Sequence, residues 1–227
     1  MNKKAVIVLS GGLDSTTCMG IAKAEGYELY PITFHYGQRH NREVEQAIEV
    51  GKYYDVPDHR IVDLTFLKDI GGSALTDEKV DVPIEADEGI PVTYVPARNM
   101  IFLALSSAYA EVIGATAVFT GVSAVDFSGY PDCRPEFIKS MEETINLATK
   151  AGVTGKNIYV KTPLINLSKK ETIEKGLSLE VPYELTTSCY NGKEAACGHC
   201  DSCQLRLKGF KEAGSTDPIP YEVSENS

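Results

Sequence analysis

The 227-residue sequence has no apolar run long enough to cross a bilayer. Its most apolar stretch, Met100 to Val125, carries the single charge Glu111 and is broken by Gly114 and Gly121 into pieces shorter than the ~20 residues a span requires. The apolar run Ala5–Leu9 stops at Ser10-Gly11-Gly12, too short for the core of a signal peptide. No membrane contact and a cytoplasmic location are expected. Basic charge is also scarce. Lys and Arg number 22 against 32 Asp and Glu, a net charge of −10 and a pI near 4.9. Such a chain lacks the positive surface that binds phosphate backbones unaided, so no nucleic acid partner is expected. Internal repeats, low-complexity tracts and Pro/Gly/Ser linkers are missing as well. Hydrophobic residues at 43% and charged residues at 24% are those of an ordinary globular chain, not of a disordered or fibrous one.

What is present is alternation. Ala5–Leu9 reads as a central parallel strand, followed by a helix over Ser15–Glu25. Glu28–Phe34 is the second strand, Asn41–Tyr54 a helix with Arg42, Glu43, Glu45 and Glu49 on its polar side, and His59–Leu64 the third strand. A polar excursion without clear period follows over Gly71–Pro91. Arg98–Ile113 is helical, Ala117–Val122 a strand, and a helix starts at Pro135. Ile158–Lys161 is a short strand, Ser168-Lys169-Lys170-Glu171 a capping box that opens another helix, and Cys200–Glu212 a last short helix. Five strands alternating with helices predict an α/β fold: an open, mostly parallel, doubly wound sheet. Ligands of such sheets sit beyond the carboxyl ends of the strands. The loops starting at Ser10, His35, Asp63 and Gly121 should therefore face one crevice.

Ser10-Gly11-Gly12-Leu13-Asp14-Ser15 follows the first strand and opens a helix. Glycine lets backbone approach an anion closely, and a helix N-terminus offers free N–H groups and the positive end of its dipole. Ser10 and Ser15 add hydroxyls. The Lys-Ser/Thr ending of an NTPase P-loop is absent, and so is the G-x-G-x-x-G spacing of a dinucleotide fold. The loop is an anion cradle or, more plainly, a tight turn. Asp14 is a hard oxygen ligand for Mg²⁺ or an acid that satisfies the helix dipole.

Of six cysteines, Cys189, Cys197, Cys200 and Cys203 fall close together, with x7, x2 and x2 between them. Four soft thiolates suit one structural Zn²⁺ per chain, with an iron–sulfur cluster as the competitor. His199 is a bystander, and Cys18 and Cys133 read as small core residues.

The loop resembles the S-G-G-x-D-S signature of the N-type ATP pyrophosphatases, or PP-loop proteins. Further segments narrow the resemblance: His35-Tyr36-Gly37-Gln38-Arg39-His40, Val95-Pro96-Ala97-Arg98-Asn99, Asp126 to Ile138 with its Gly-Tyr-Pro-Asp-Cys-Arg-Pro-Glu-Phe run, Thr187-Ser188-Cys189-Tyr190, and Cys197 to Cys203. In this order, over nearly the whole chain, they resemble the 7-cyano-7-deazaguanine synthase (QueC) family. Leu13 stands where that family commonly has Gln, and Ala97 where it often has Gly. The resemblance implies an adenine nucleotide alpha hydrolase-like sheet over residues 1–185 and a small zinc-binding segment over 186–227. It also implies a homodimer that makes the nitrile preQ0, on the route to queuosine, from 7-carboxy-7-deazaguanine, ammonia and ATP with Mg²⁺. ATP is expected along Leu9, Ser10, Gly11, Gly12, Leu13, Asp14, Ser15, Thr16, Thr17, Cys18 and Met19.

Asp14, Ser15, Arg98 and Arg134 are the catalytic candidates. The two arginines are rigid forks for carboxylate or phosphate, or else salt-bridging groups at helix starts. For the base, the candidates are Arg39, His40, Tyr130 and Asp132. His40 is a proton carrier or a satisfied polar group, Tyr130 a stacking ring or core, and Asp132 a reader of a guanine-like edge or a turn residue. Two alternatives stand beside this reading: a tRNA-thiolating PP-loop enzyme, which needs a positive surface, and a zinc-containing nucleotide-binding or protein-modifying ligase.

Overall fold

The computed structural model describes residues 3–38, 41–77, 89–123, 129–191 and 194–222. Its strands are β1 (Lys3–Val8), β2 (Tyr27–His35), β3 (Arg60–Asp63), β4 (Ala117–Phe119) and β5 (Tyr159–Lys161). All pair in parallel, in the order β3-β2-β1-β4-β5. Helices α1 (Leu13–Ala24) and α2 (Arg42–Tyr53) cover one face. Helices α4 (Arg98–Ile113) and α5 (Pro135–Ala148) cover the other. Val6 and Val118 point into the core with Phe34, Phe102 and Ile138. Their neighbours Ala5, Ile7, Ala117 and Phe119 point the opposite way, among Cys18, Met19, Ala47 and Val50. Burial on both faces is why β1 reads as an unbroken apolar run.

The chain leaves β1 toward β2 and β3, then crosses back to β4 and β5. The strand order reverses beside β1, and there the carboxyl ends of β1 and β4 open a crevice. Two helices complete that region. Helix α7 (Lys169–Ser178) begins with the expected capping box: Ser168 Oγ accepts from Glu171 N at 3.2 Å, and Glu171 Oε2 accepts from Ser168 N at 2.8 Å. Helix α8 (Asp201–Glu212) packs on α7, and Leu13, Ile173, Tyr183 and Phe210 form a small core that ties both to α1.

Expectation and structure coincide at α4, residue for residue. They differ at β4, which ends at Phe119, short of Val122. The cause is Gly121, where an added Cβ would lie 2.8 Å from Ser15 N, so the chain turns in to pack against the first turn of α1. That helix begins at Leu13 and includes Asp14 in its first turn. The short helices α3 (Phe66–Ile70) and α6 (Lys150–Val153), and the 3-10 turns Pro131–Cys133 and Tyr183–Leu185, hold too few residues to display a period. Of the excursion over Gly71–Pro91, residues 78–88 lie outside the described residues. Among the described residues no helix is long and apolar enough to cross a membrane.

Candidate active site

The loop between β1 and α1 is held by its own serines. Ser10 Oγ and Ser15 Oγ share a hydrogen bond of 3.0 Å, Ser10 N donates to Ser15 Oγ, and Gly12 N donates to Ser10 Oγ. Gly11 has φ +81°, and an added Cβ there would meet Glu43 O and Ala47 N, so α2 abuts the loop from behind. Gly121 closes it from the other side. The first N–H groups of α1 thus open into the crevice, as an anion cradle requires. Asp14 does not stand free. Lys169, at the start of α7, donates to both its oxygens at 2.8 and 2.7 Å, and the side chains of Lys169 and Asp14 are only 18% and 25% exposed.

A cavity of about 300 Å³ lies over this loop. Leu9, Ser10, Gly12, Leu13, Asp14 and Ser15 line it, and so do Arg98 and Tyr130. Gly11, Thr16, Thr17, Cys18 and Met19 are not in its wall. The side chains of the last four turn inward: Thr17 Oγ1 bonds Leu13 O and Tyr183 Oη, and Cys18 Sγ faces Thr120 O at 3.5 Å. Burial, with Asp14 adding, holds the Cys18 thiol well above its ordinary pKa. Asp132 also lies behind the wall, where its Oδ2 accepts from Asn99 N at 2.8 Å and caps α4. Arg134 is exposed, outside the cavity, with Nε donating to Pro131 O at 3.1 Å. Arg39 and His40 fall outside the described residues.

The far wall is aromatic. Phe34 and Phe102 stack at 4.1 Å between ring centres, and Tyr36 and Tyr130 stand beside them. The Arg98 guanidinium lies 5.2 Å over the Tyr36 ring and donates to its hydroxyl at 3.1 Å. Burial opposes its charge, but Tyr36, Asp132, Glu43 and Cys133 outweigh that and raise its pKa. Burial pushes Tyr36 up to about 12 against the pull of Arg98. Arg42 and Glu43 also line the cavity. On sequence they belong with Glu45 and Glu49 on the polar side of α2, but the first turn of that helix meets the loop and faces the crevice. Burial raises the Glu43 carboxyl, with Arg98 acting against the rise. The crevice rule applied to the helix after β2 would have found both residues. Lys169 carried only the signal of a capping box.

The four cysteines converge. The sulfurs of Cys189, Cys197, Cys200 and Cys203 lie within 4.8 Å of one another. Tetrahedral bonds of about 2.3 Å place thiolate sulfurs roughly 3.8 Å apart, so the set fits one ion with little adjustment. Backbone N–H groups already point at sulfur: Cys197 N and Asn191 N at Cys189, and Cys200 N at Cys197. Hydrogen bonding from Cys203 lowers the Cys200 thiol to about 4, and that same contact raises Cys203. Gly198, at φ +75°, makes the turn. His199 stays outside and bonds Cys197 O. Cys189, Tyr190 and Ser202 reach the cavity wall, and Thr187 N donates to Gly11 O at 3.0 Å. Arg206 anchors this strap. It is 2% exposed, pairs with Asp217 at 2.7 and 2.9 Å, and donates to Thr186 Oγ1, Ser188 Oγ and Tyr183 O. On the sequence Arg206 is one more charge in a short helix.

The sheet order, with the serine-glycine loop at its reversal point, defines the class as a PP-loop α/β protein. The fold is shared with NMN synthetase from Francisella tularensis (TM-score 0.51, 17% identity, 99% of this chain and 80% of that one). It is shared too with a predicted subunit of a tRNA methyltransferase from Methanocaldococcus jannaschii (TM-score 0.50, 18% identity, 99% and 94%). At such identities the likeness concerns the fold alone. Residues 4–214 match the family described as queuosine biosynthesis protein QueC. Over 220 residues the chain is 60% identical to the 7-cyano-7-deazaguanine synthase of Oceanobacillus iheyensis, covering 96% of this chain and 98% of that protein. The corresponding synthase of Acetivibrio thermocellus is 58% identical over the same shares. The chain belongs to the QueC family.

Proposed function

We propose that the protein makes 7-cyano-7-deazaguanine from 7-carboxy-7-deazaguanine, ammonia and ATP, as a cytoplasmic homodimer without nucleic acid or membrane partners. The observation that carries this reading is the near-full-length identity of 60% to a synthase of that name. The cavity supports it, since one enclosure joins an anion cradle to an aromatic wall bearing a guanidinium. Chemistry sets the order of events. A carboxylate oxygen is a poor leaving group, so it attacks the α-phosphorus of ATP and pyrophosphate departs into the N–H groups of Leu13–Ser15 and the Ser10 and Ser15 hydroxyls. Ammonia then displaces AMP to give the amide. The amide oxygen attacks a second ATP, and loss of AMP leaves the nitrile.

Arg98 is the cavity-facing fork for the substrate carboxylate or the α-phosphate. Arg134 takes such a role only if its side chain turns in from the surface. Asp14, a hard oxygen donor, would hold Mg²⁺ through one oxygen while Lys169 keeps the other, and the ion would supply neutralisation of phosphate charge. The four cysteines would hold one structural Zn²⁺ that ties the Thr187 strap to the loop.

Incubation with the acid, ammonium and ATP, followed by mass spectrometry, tests the reading. The expected result is the nitrile with two AMP per product, and conversion of supplied amide by ATP without ammonia. ADP as the product, or an amide that is never converted, would refute it.

A further inference from the structure

Glu43 faces the cavity from the first turn of α2 and takes no hydrogen bond from any other described residue. Among the described residues, the charged and titratable groups bearing on it are Arg98 from α4 and Tyr36 from the segment after β2, with Arg42 in the same wall. The Arg98 NH1 donor is engaged by the Tyr36 hydroxyl. Desolvation raises this half-buried carboxyl and the charge of Arg98 only partly offsets it, so N–H donors brought by a ligand would replace the hydration it has lost. The shape of the cavity says which kind. Phe34, Phe102 and Tyr130 supply walls for a flat ring. The two oxygens of a carboxylate match two parallel N–H donors. Adenine offers a donor beside an acceptor on its pairing edge, and the acceptor would repel a carboxylate. A 2-amino-4-oxopyrimidine ring offers N1–H and a 2-amino N–H side by side. Ammonium would also bring donors, but it would leave the aromatic walls uncovered and would meet the charge of Arg98.

We propose that Glu43 reads the N1–H and 2-amino edge of the deazaguanine ring and so selects guanine-type over hypoxanthine-type substrates. The inference rests on the synthase reading above. Calorimetric titration tests it with 7-carboxy-7-deazaguanine and its 2-desamino analogue, 7-carboxy-7-deazahypoxanthine, each in the presence of α,β-methylene-ATP. The wild-type protein should bind the amino compound about 10- to 100-fold tighter, the worth of one hydrogen bond to a charged group. Glu43→Gln presents one acceptor and one clashing donor, and should bring the two affinities together. Its affinity for the ATP analogue should stay unchanged, and its thermal midpoint should not fall, since the neutral amide escapes the desolvation that raises the Glu43 carboxyl. Equal binding of both compounds by the wild-type protein would overturn the inference, whatever the variant does. So would a Glu43→Gln variant that keeps the discrimination, or one whose defect lies only in KM for ammonium. Failure of the wild-type protein to bind either compound would sink the synthase reading, and this inference with it.

Discussion

Arg206 sits where charge is least affordable, and its removal has a calculable cost. Arg206→Met keeps most of the stem volume and deletes the guanidinium. Asp217, 2% exposed at its side chain, would be left with the Tyr221 hydroxyl at 2.6 Å and Ile219 N at 3.3 Å. Removing one partner of a buried ion pair costs about 3–5 kcal/mol, because the remaining charge stays buried and uncompensated. Tyr183 O and Ser188 Oγ lose a donor as well, at roughly 1 kcal/mol each where no water replaces it. Whole domains of this size are stable by only about 5–15 kcal/mol. The loss is local, so the strap and cysteine cluster should loosen before the sheet does. Urea unfolding followed by circular dichroism should show a new early transition of about 3–5 kcal/mol lower stability. Affinity for α,β-methylene-ATP should fall with it, since Thr187 holds Gly11. Asp217→Leu added to Arg206→Met should recover a large share of the stability, because no lone charge remains buried. A single variant within about 1 kcal/mol of wild type, or a double variant no better than the single, would refute the reasoning.

Four further outcomes are expected. Asp14→Asn weakens the pair with Lys169 and should cost about 1–3 kcal/mol of stability, yet lower turnover by orders of magnitude in a protein that still folds; near-normal AMP formation by the folded variant would count against a metal and pyrophosphate role. Ala97 holds φ +55°, a region that costs a non-glycine residue about 1–2 kcal/mol, so Ala97→Gly should stabilise by a net ~0.5–1 kcal/mol after glycine's greater unfolded freedom is subtracted, and a lower urea midpoint would contradict this. Burial pushes His59 down from its ordinary 6.5 to about 4, so it binds a proton on unfolding; stability should fall by roughly 2–3 kcal/mol as pH drops through that window, and His59→Gln should flatten the slope. Cys200→Ala should lose the bound metal and loosen the C-terminal segment, and metal analysis of the unaltered protein should find about one zinc per chain, a brown protein with labile sulfide being the contrary result.

Local chemistry is what the sequence displays well. The Ser10–Ser15 loop, the bounds of α4 and the cysteine spacing each reflect contacts within a few residues, so their patterns survive in one dimension. Lys169 shows the limit. Its neighbours Ser168 and Glu171 announce a capping box, but its partner Asp14 lies 155 residues earlier, and no periodicity encodes that pairing. Glu43 and Arg206 look like solvated charges, because a helix pattern reports polarity and not what the next element places against it. Ala97 is the reverse case. The glycine common there in the family is the residue that adopts positive φ freely, and the left-handed conformation found at Ala97 explains that preference.

The contact between Gly11 and Thr187 joins two segments that are made far apart in time. The proposed ATP site draws its cradle from the beginning of the chain and its lid from the end, with Ser202 in the wall. During synthesis the five-stranded sheet has all its strands once Lys161 is made, 41 residues before Ser202 (202 − 161). At about 5–20 residues per second that interval lasts roughly 2–8 s, in which the sheet exists without a closed nucleotide site. On the proposed reading, an unfinished chain has no closed pocket in which AMP could be directed to a substrate. A chain ended at Lys161 lacks both the Thr187 contact and the Ser202 wall, and on the proposed reading should form no AMP.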